Sequence, residues 1–103
     1  MELTLEARYL SRLESSRQQL EEAGRSFRSY LIEKHSLPRS LTTGREILRQ
    51  MEGKVDLGEW KTLKRIFDTL EEWHYGGIPG SKNESEGLYR EMVRFVEGKK
   101  ISQ

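Results

Sequence analysis

VDLGEWKTLKRIFDTLEEWHYGG, residues 55–77, contains both tryptophans and the densest apolar pattern in the chain. On a helical wheel of about 100° per residue, its apolar side chains form one stripe and its charged side chains fall opposite. The stripe comprises Trp60, Leu63, Ile66, Phe67, Leu70, Trp73 and His74, and the opposite face carries Lys61, Lys64, Arg65, Asp68, Glu71 and Glu72. A strand would place the adjacent Ile66 and Phe67 on opposite faces. The pattern therefore predicts an amphipathic helix.

Residues at the two ends of this stretch have helix-capping patterns. Asp56 has the position of an N-cap, and Glu59 lies three residues later, where a capping box places its second member. Glycines at 76 and 77 end the pattern, since glycine readily adopts the left-handed conformation that closes a helix. We therefore expect a central helix that starts near Asp56 and stops at Tyr75-Gly76-Gly77.

A longer helical pattern precedes it, from about Leu3 to Lys34. Its apolar positions recur at threes and fours and include Leu10, Leu13, Leu20, Phe27 and Leu31. Gly24 interrupts the stripe, which indicates a close helix crossing or a bend at that point. Leu37-Pro38 ends the segment, because the residue before a proline is displaced from helical geometry. The pattern predicts one long first helix.

Two further helices complete the chain. Thr43 and Glu46 have the spacing of a capping box and begin a short helix that Gly53 ends. The last helix presents Leu88, Tyr89, Met92, Phe95 and Val96 inward and stops at Gly98. Stripes of this kind are buried by packing helix on helix. We predict an all-α fold, a small bundle of about four helices in a single domain spanning 1–103, with 99–103 a frayed tail.

Composition limits the function classes. Eighteen basic and 17 acidic residues give a net charge of +1, and the chain contains no cysteine. The charge balance argues against a protein whose main task is to grip nucleic acid or an anionic membrane. Missing cysteines exclude disulfides and thiolate metal sites and fit an intracellular setting. No stretch approaches the ~20 apolar residues of a transmembrane helix, so we expect a soluble chain.

Catalytic and metal-binding patterns are not found. The two histidines, His35 and His74, lack the spacing of metal ligands, and each lies at a helix end, where a positive charge suits the helix dipole. Adjacent carboxylates such as Glu71-Glu72 point about 100° apart on a helix and do not converge on one substrate. We predict a non-enzymatic protein that uses no cofactor or metal.

A nucleic-acid-binding alternative rests on the order helix, glycine turn, helix over 44–75, which has the outline of a helix-turn-helix. Its second helix offers Lys61, Lys64 and Arg65 as phosphate contacts. Acidic residues share the same exposed surface and would repel phosphates, which lowers the affinity expected from counterion release.

Three short motifs carry a resemblance to a known family. Leu37-Pro38-Arg39, the segment TGREIL over 43–48, and HYGG over 74–77 occur in this order between helices. The pattern resembles the uncharacterised helical domain at the C-terminus of membrane-anchored transglutaminase-like and related multi-span proteins of bacteria and archaea. Gly44 stands where that family usually has proline, and His74 where it usually has arginine. The resemblance implies an accessory domain on the cytoplasmic side of a membrane, outside the catalytic part.

The predicted function is therefore that of a helical accessory domain that binds another protein or a second copy of itself. Aromatic residues at the margins of a core stripe are suited to docking. The candidate docking residues are Trp60, Trp73, Tyr75, Gly76 and Gly77. We expect a cytoplasmic location, next to a membrane only if a longer parent chain tethers the domain there.

Overall fold

The computed structural model describes residues 4–76 and 82–98. For 74–76 and 82, which lie at helix ends, it describes the backbone only. These described residues form five α-helices and no strand. The helices are α1 Leu5–Ser15, α2 Leu20–Lys34, α3 Gly44–Met51, α4 Leu57–Gly76 and α5 Lys82–Glu97. The all-α class is confirmed. The tail at 99–103 lies outside the described residues.

The prediction of one long first helix is wrong, because the chain turns back between α1 and α2 at residues 16–19. Ser16 forms the C-cap of α1, and its hydroxyl donates to the carbonyl oxygens of Arg12 at 2.8 Å and Leu13 at 3.3 Å. Gln19 precedes α2 without a side-chain cap. A serine that bonds its own backbone weakens helix continuation but does not by itself impose a turn.

Tertiary contacts between α1 and α2 supply the reason for the turn. The Tyr9 hydroxyl donates to Glu33 at 2.9 Å, and the Tyr30 hydroxyl donates to Glu6 at 3.0 Å. The two tyrosine rings meet edge to face, with centroids 5.6 Å apart. A straight 30-residue helix would be ~45 Å long and would hold these pairs far apart. Folding back instead buries Leu13, Phe27 and Leu31 completely.

The remaining helices close the core around Phe27. Its ring lies 5.7 Å from Phe67 of α4 and 5.7 Å from Phe95 of α5, measured between centroids. α1 packs against α2 and α5, α2 also contacts α3 and α5, and α3 packs on α4. The buried apolar residues are Tyr9, Leu13, Ala23, Phe27, Tyr30, Leu31, Leu37, Ile47, Leu48, Met51, Leu63, Ile66, Phe67, Leu88, Tyr89, Met92 and Val96. Most residues of the predicted stripes are therefore buried, while Leu10, Leu20, Leu70 and Phe95 are only partly buried.

Helix caps follow the sequence prediction. At α3 the Thr43 hydroxyl accepts from the Glu46 amide at 3.2 Å, while the Glu46 carboxylate accepts from the Thr43 amide at 3.2 Å, which completes the capping box. At α4 the Asp56 carboxylate accepts from the Glu59 amide at 2.7 Å. Gly53, with φ 85°, ends α3 in the left-handed conformation that glycine favours.

The end of α2 uses the same left-handed geometry without a glycine. Ser36 has φ 54°. The amide of Leu37 donates to the Ile32 carbonyl at 2.9 Å and that of Ser36 to the Glu33 carbonyl at 3.4 Å. This bond pair is a Schellman motif. His35 precedes it, and burial together with Lys34 and Lys54 lowers its pKa. The lowered pKa of His35 disfavours the positive charge that the sequence suggested for this helix end.

Candidate docking groove

A shallow, open groove of about 450 Å³ runs between α4 and α5 and contains one of the two predicted docking tryptophans. From α4 it is lined by Arg65, Thr69 and Trp73, which are spaced four apart and so share one helix face. From α5 it is lined by Glu84, Gly87, Leu88 and Glu91. Leu88 is buried and Trp73 half-buried, so the groove has an apolar floor beneath a charged rim.

Gly87 keeps the α5 wall of the groove open. A Cβ added at this exposed position would meet no other atom within 4 Å. Trp73 packs with part of its ring against the core and keeps the rest accessible along the groove. An apolar ring next to an empty stretch of helix surface is suited to receive a side chain from outside.

The rim of the groove is held by internal contacts. Arg65 pairs with Glu91 across the two helices. The Thr69 hydroxyl donates to the Arg65 carbonyl at 2.8 Å, so it is already used inside α4. Glu84 lies two helical turns before Glu91 on α5, which is ~10 Å along the axis. The groove thus combines the face of Trp73, the Glu84 carboxylate and the Arg65–Glu91 pair, and the face of an indole ring attracts cations.

The structure does not bring the two tryptophans together. Trp60 lies 13 residues before Trp73 on α4, a separation of ~20 Å along the helix axis. Its indole N–H donates to the Leu48 carbonyl at 2.9 Å, so this tryptophan links α4 to α3. The side chain of Tyr75, and Gly77 as a whole, lie outside the described residues, and Gly76 is the last residue of α4. Of the two candidates whose side chains the structure describes, Trp60 and Trp73, only Trp73 lines this groove.

The cations of the nucleic-acid alternative lie on the exposed face of α4, as expected. Two of the three have carboxylate partners: the Lys64 amine contacts Asp68 at 2.7 Å, and Arg65 pairs with Glu91. Lys61 is exposed. Paired cations have less positive charge to offer a phosphate backbone, since the neighbouring carboxylates repel it.

Sequence reasoning missed most of the groove residues. Glu84, Gly87 and Glu91 recur at threes and fours and so share a face of α5, and this spacing is visible in the sequence. Only packing, however, reveals that this face lies beside Trp73. In the described part of the chain no group of three or more acidic or histidine side chains is arranged to hold a metal ion. No helix within 4–76 or 82–98 is long and apolar enough to cross a membrane.

Comparisons with protein-family models, with curated proteins and with solved structures find no match to this chain.

Proposed function

We propose that this chain is a non-enzymatic helical accessory domain that binds another protein through the groove between α4 and α5. The observation that carries the proposal is the half-buried Trp73 beside the open backbone of Gly87. Aromatic side chains next to a concave surface are frequent anchors of protein interfaces. The resemblance to the C-terminal helical domain of transglutaminase-like membrane proteins supports an accessory role of this kind.

The proposed partner presents a basic side chain next to an apolar one. A lysine or arginine that stacks on an indole ring is attracted by the negative face of the ring. Glu84 on the rim adds negative charge to the same place, whereas the charge of Glu91 is offset by its pair with Arg65. The buried Leu88 beneath them offers an apolar floor for the neighbouring side chain. This combination fits a partner segment rich in lysine or arginine better than an acidic one.

Site-specific photo-crosslinking tests the proposal. A benzophenone amino acid replaces Gly87, because this position is exposed and has room for a side chain. The matched control replaces Lys61, which is also exposed and lies on α4 one turn before Arg65, outside the residues that line the groove. We expect a covalent adduct with a second protein at position 87 that is weak or missing at position 61. Trp73→Ala in the Gly87 variant should remove the adduct.

A second variant separates loss of docking from loss of fold. Gly87→Leu fills the groove from an exposed helix position, and leucine has a higher helix propensity than glycine by about 1 kcal/mol. It should therefore block the partner without lowering the thermal midpoint. An adduct of twice the chain mass would indicate self-association, with sedimentation as the independent readout. Equal labelling at positions 61 and 87 would rule out the groove as the docking surface.

The nucleic-acid alternative has less support, because two of its three cations are already paired. A shift assay with DNA and RNA at ~50 mM salt, where electrostatic binding is strong, separates it from protein docking.

A further inference from the structure

Arg28 of α2 is a half-buried cation that forms no salt bridge within the described residues. None of the ion pairs formed there includes it. Burial lowers the pKa of its guanidinium, the nearby Arg25 lowers it further, and Glu21 offsets part of this effect. The Nη1 atom lies 3.9 Å from the point that a Cβ would occupy at Gly24, so the guanidinium lies beside this part of α2. A desolvated charge of this kind is stabilised by an anion.

A cavity of about 290 Å³ lies at this guanidinium, where α2, the start of α3 and α4 meet. Phe67 and Leu70 form its apolar side, and Arg25 and Arg28 line it from α2. Gly44, the first residue of α3, adds the positively polarised end of a helix to the wall. Apolar surface, cationic groups and a helix start are thereby combined in one concave site. Its volume is close to that of the smallest ligand pockets.

Carboxylates around the cavity limit the charge that it accepts. Glu71 lies in the wall and pairs with Arg45 at 3.3 Å. Glu46 accepts from the amides of Thr42 at 3.1 Å and Thr43 at 3.2 Å, so its charge is held at the α3 cap. Glu21 also lines the cavity. Together these carboxylates repel a dianion such as phosphate. They repel a single bound carboxylate less, and its charge-assisted hydrogen bonds to the Arg28 guanidinium offset that repulsion.

We propose that this cavity binds a monocarboxylate with an apolar body, its carboxylate on Arg28 and its apolar part against Phe67 and Leu70. Two sources share this chemistry, a free small organic acid and the C-terminal residue of another polypeptide. The site lies on a different face of α4 from Arg65, Thr69 and Trp73. Its occupancy is therefore independent of docking in the groove.

Amide chemical shifts of Gly24 and Gly44 report on the cavity, because both glycines line it and glycine amides are well separated in ¹H–¹⁵N spectra. The probes are 4-methylpentanoate for the free acid and acetyl-Gly-Gly-Leu for a chain end, each with its neutral amide as control. We expect saturable shifts at both glycines with at least one carboxylate. The matching amide should bind at least about 10-fold more weakly, since a hydrogen bond to a charged group is lost.

Arg28→Gln should weaken binding of the carboxylate at least about 10-fold, and Arg49→Gln, at an exposed arginine of α3, should leave it unchanged. Dispersed spectra of both variants establish that they remain folded. Arg28→Lys keeps the positive charge but loses the bidentate geometry, so it should bind the carboxylate with intermediate strength. Binding of the free acid alone or of the peptide alone identifies the source. Equal binding of acid and amide, unchanged binding in Arg28→Gln, or no shift with either probe up to about 20 mM would overturn the proposal.

Discussion

Gly44 allows a sharp test of the packing between α3 and α4. A Cβ at this position would lie 2.6 Å from both Cδ1 and Cγ of Phe67 and 2.8 Å from its Cβ. Phe67 is only 5% exposed and its ring packs against Phe27, so it has little room to move. Forcing extra atoms into a packed core costs about 1–3 kcal/mol. Alanine recovers at most about 1 kcal/mol through helix propensity.

Gly44→Ala should therefore lower the free energy of unfolding by about 1–2 kcal/mol. For a domain of this size the thermal midpoint should fall by about 5–15 °C. Urea unfolding followed by circular dichroism measures the change, and an unaltered dependence on denaturant establishes that the native state remains compact.

Two other glycines separate the clash from the other effects of adding a methyl group. At Gly53 nothing lies within 4 Å of the added Cβ, but φ is 85°, so Gly53→Ala should cost about 1–2 kcal/mol through backbone strain alone. At Gly87 neither effect operates, and Gly87→Ala should stabilise α5 by up to about 1 kcal/mol. If Gly44→Ala proved as stable as Gly87→Ala, the close approach of α3 to Phe67 would be refuted.

Three further predictions concern the α1–α2 hairpin. Ser36→Gly should raise the free energy of unfolding by about 1 kcal/mol, because glycine adopts the left-handed conformation without a Cβ penalty; a fall in urea midpoint would contradict the Schellman geometry. Burial and bonds to Glu33 and Glu6 raise the pKa values of Tyr9 and Tyr30, so both should ionise late in an absorbance titration at alkaline pH. The contribution of the two tyrosines to the free energy of unfolding is complete below pH 10.0 and is lost as the pH rises through their folded-state pKa values. Ionisation of all tyrosines near pH 10.0 would argue against both bonds. Conversely, hydrogen bonds from Lys34 and Arg8 lower the pKa values of Glu6 and Glu33. The contribution of these two carboxylates to the free energy of unfolding is therefore complete above pH 4.5 and is lost as the pH falls through their folded-state pKa values. Acid unfolding of Glu6→Gln should depend less steeply on pH than that of the unaltered protein, and an unchanged slope would contradict the Lys34 bond.

The extent of sequence prediction is clearest at the helix starts. Thr43 with Glu46, and Asp56 at the amide of Glu59, form the bonds that their spacing indicates. Capping bonds join residues three apart, so the chain segment alone specifies them. The inward stripe of α5 is equally local in origin, because helical periodicity places its apolar side chains on one face.

The α1–α2 turn shows where local reasoning stops. Residues 16–19 contain no glycine or proline, so nothing in the pattern marks a break strongly. The turn forms because Tyr9 reaches Glu33 and Tyr30 reaches Glu6 across the hairpin. At Gly24 the prediction allowed a close crossing or a bend. The chain stays helical there, and the Cβ position lies 3.2 Å from Cδ1 of Leu70 in α4, so the glycine leaves room for the Leu70 side chain.

The candidate sites divide in the same way. Trp73 could be selected from the sequence because aromatic residues at the margin of an apolar stripe are common in interfaces. Its partner surface on α5 could not, since the position of one helix beside another depends on the whole core. Arg28 gave no signal at all, because an arginine on a polar helix face is usually solvated.

By itself, then, the sequence determined the all-α class, the starts of α3 and α4, the inward faces of the helices and the absence of cysteine chemistry. These properties depend on composition and on residues within about one or two helical turns of each other. The tertiary structure decided that the first helical stretch is a hairpin of two helices. It also decided that the Trp60 indole N–H bonds to the Leu48 carbonyl while Trp73 lines a groove, and that Arg28 borders a cavity. Each of these depends on contacts between residues distant in the chain, whose positions follow only from the packing of all five described helices.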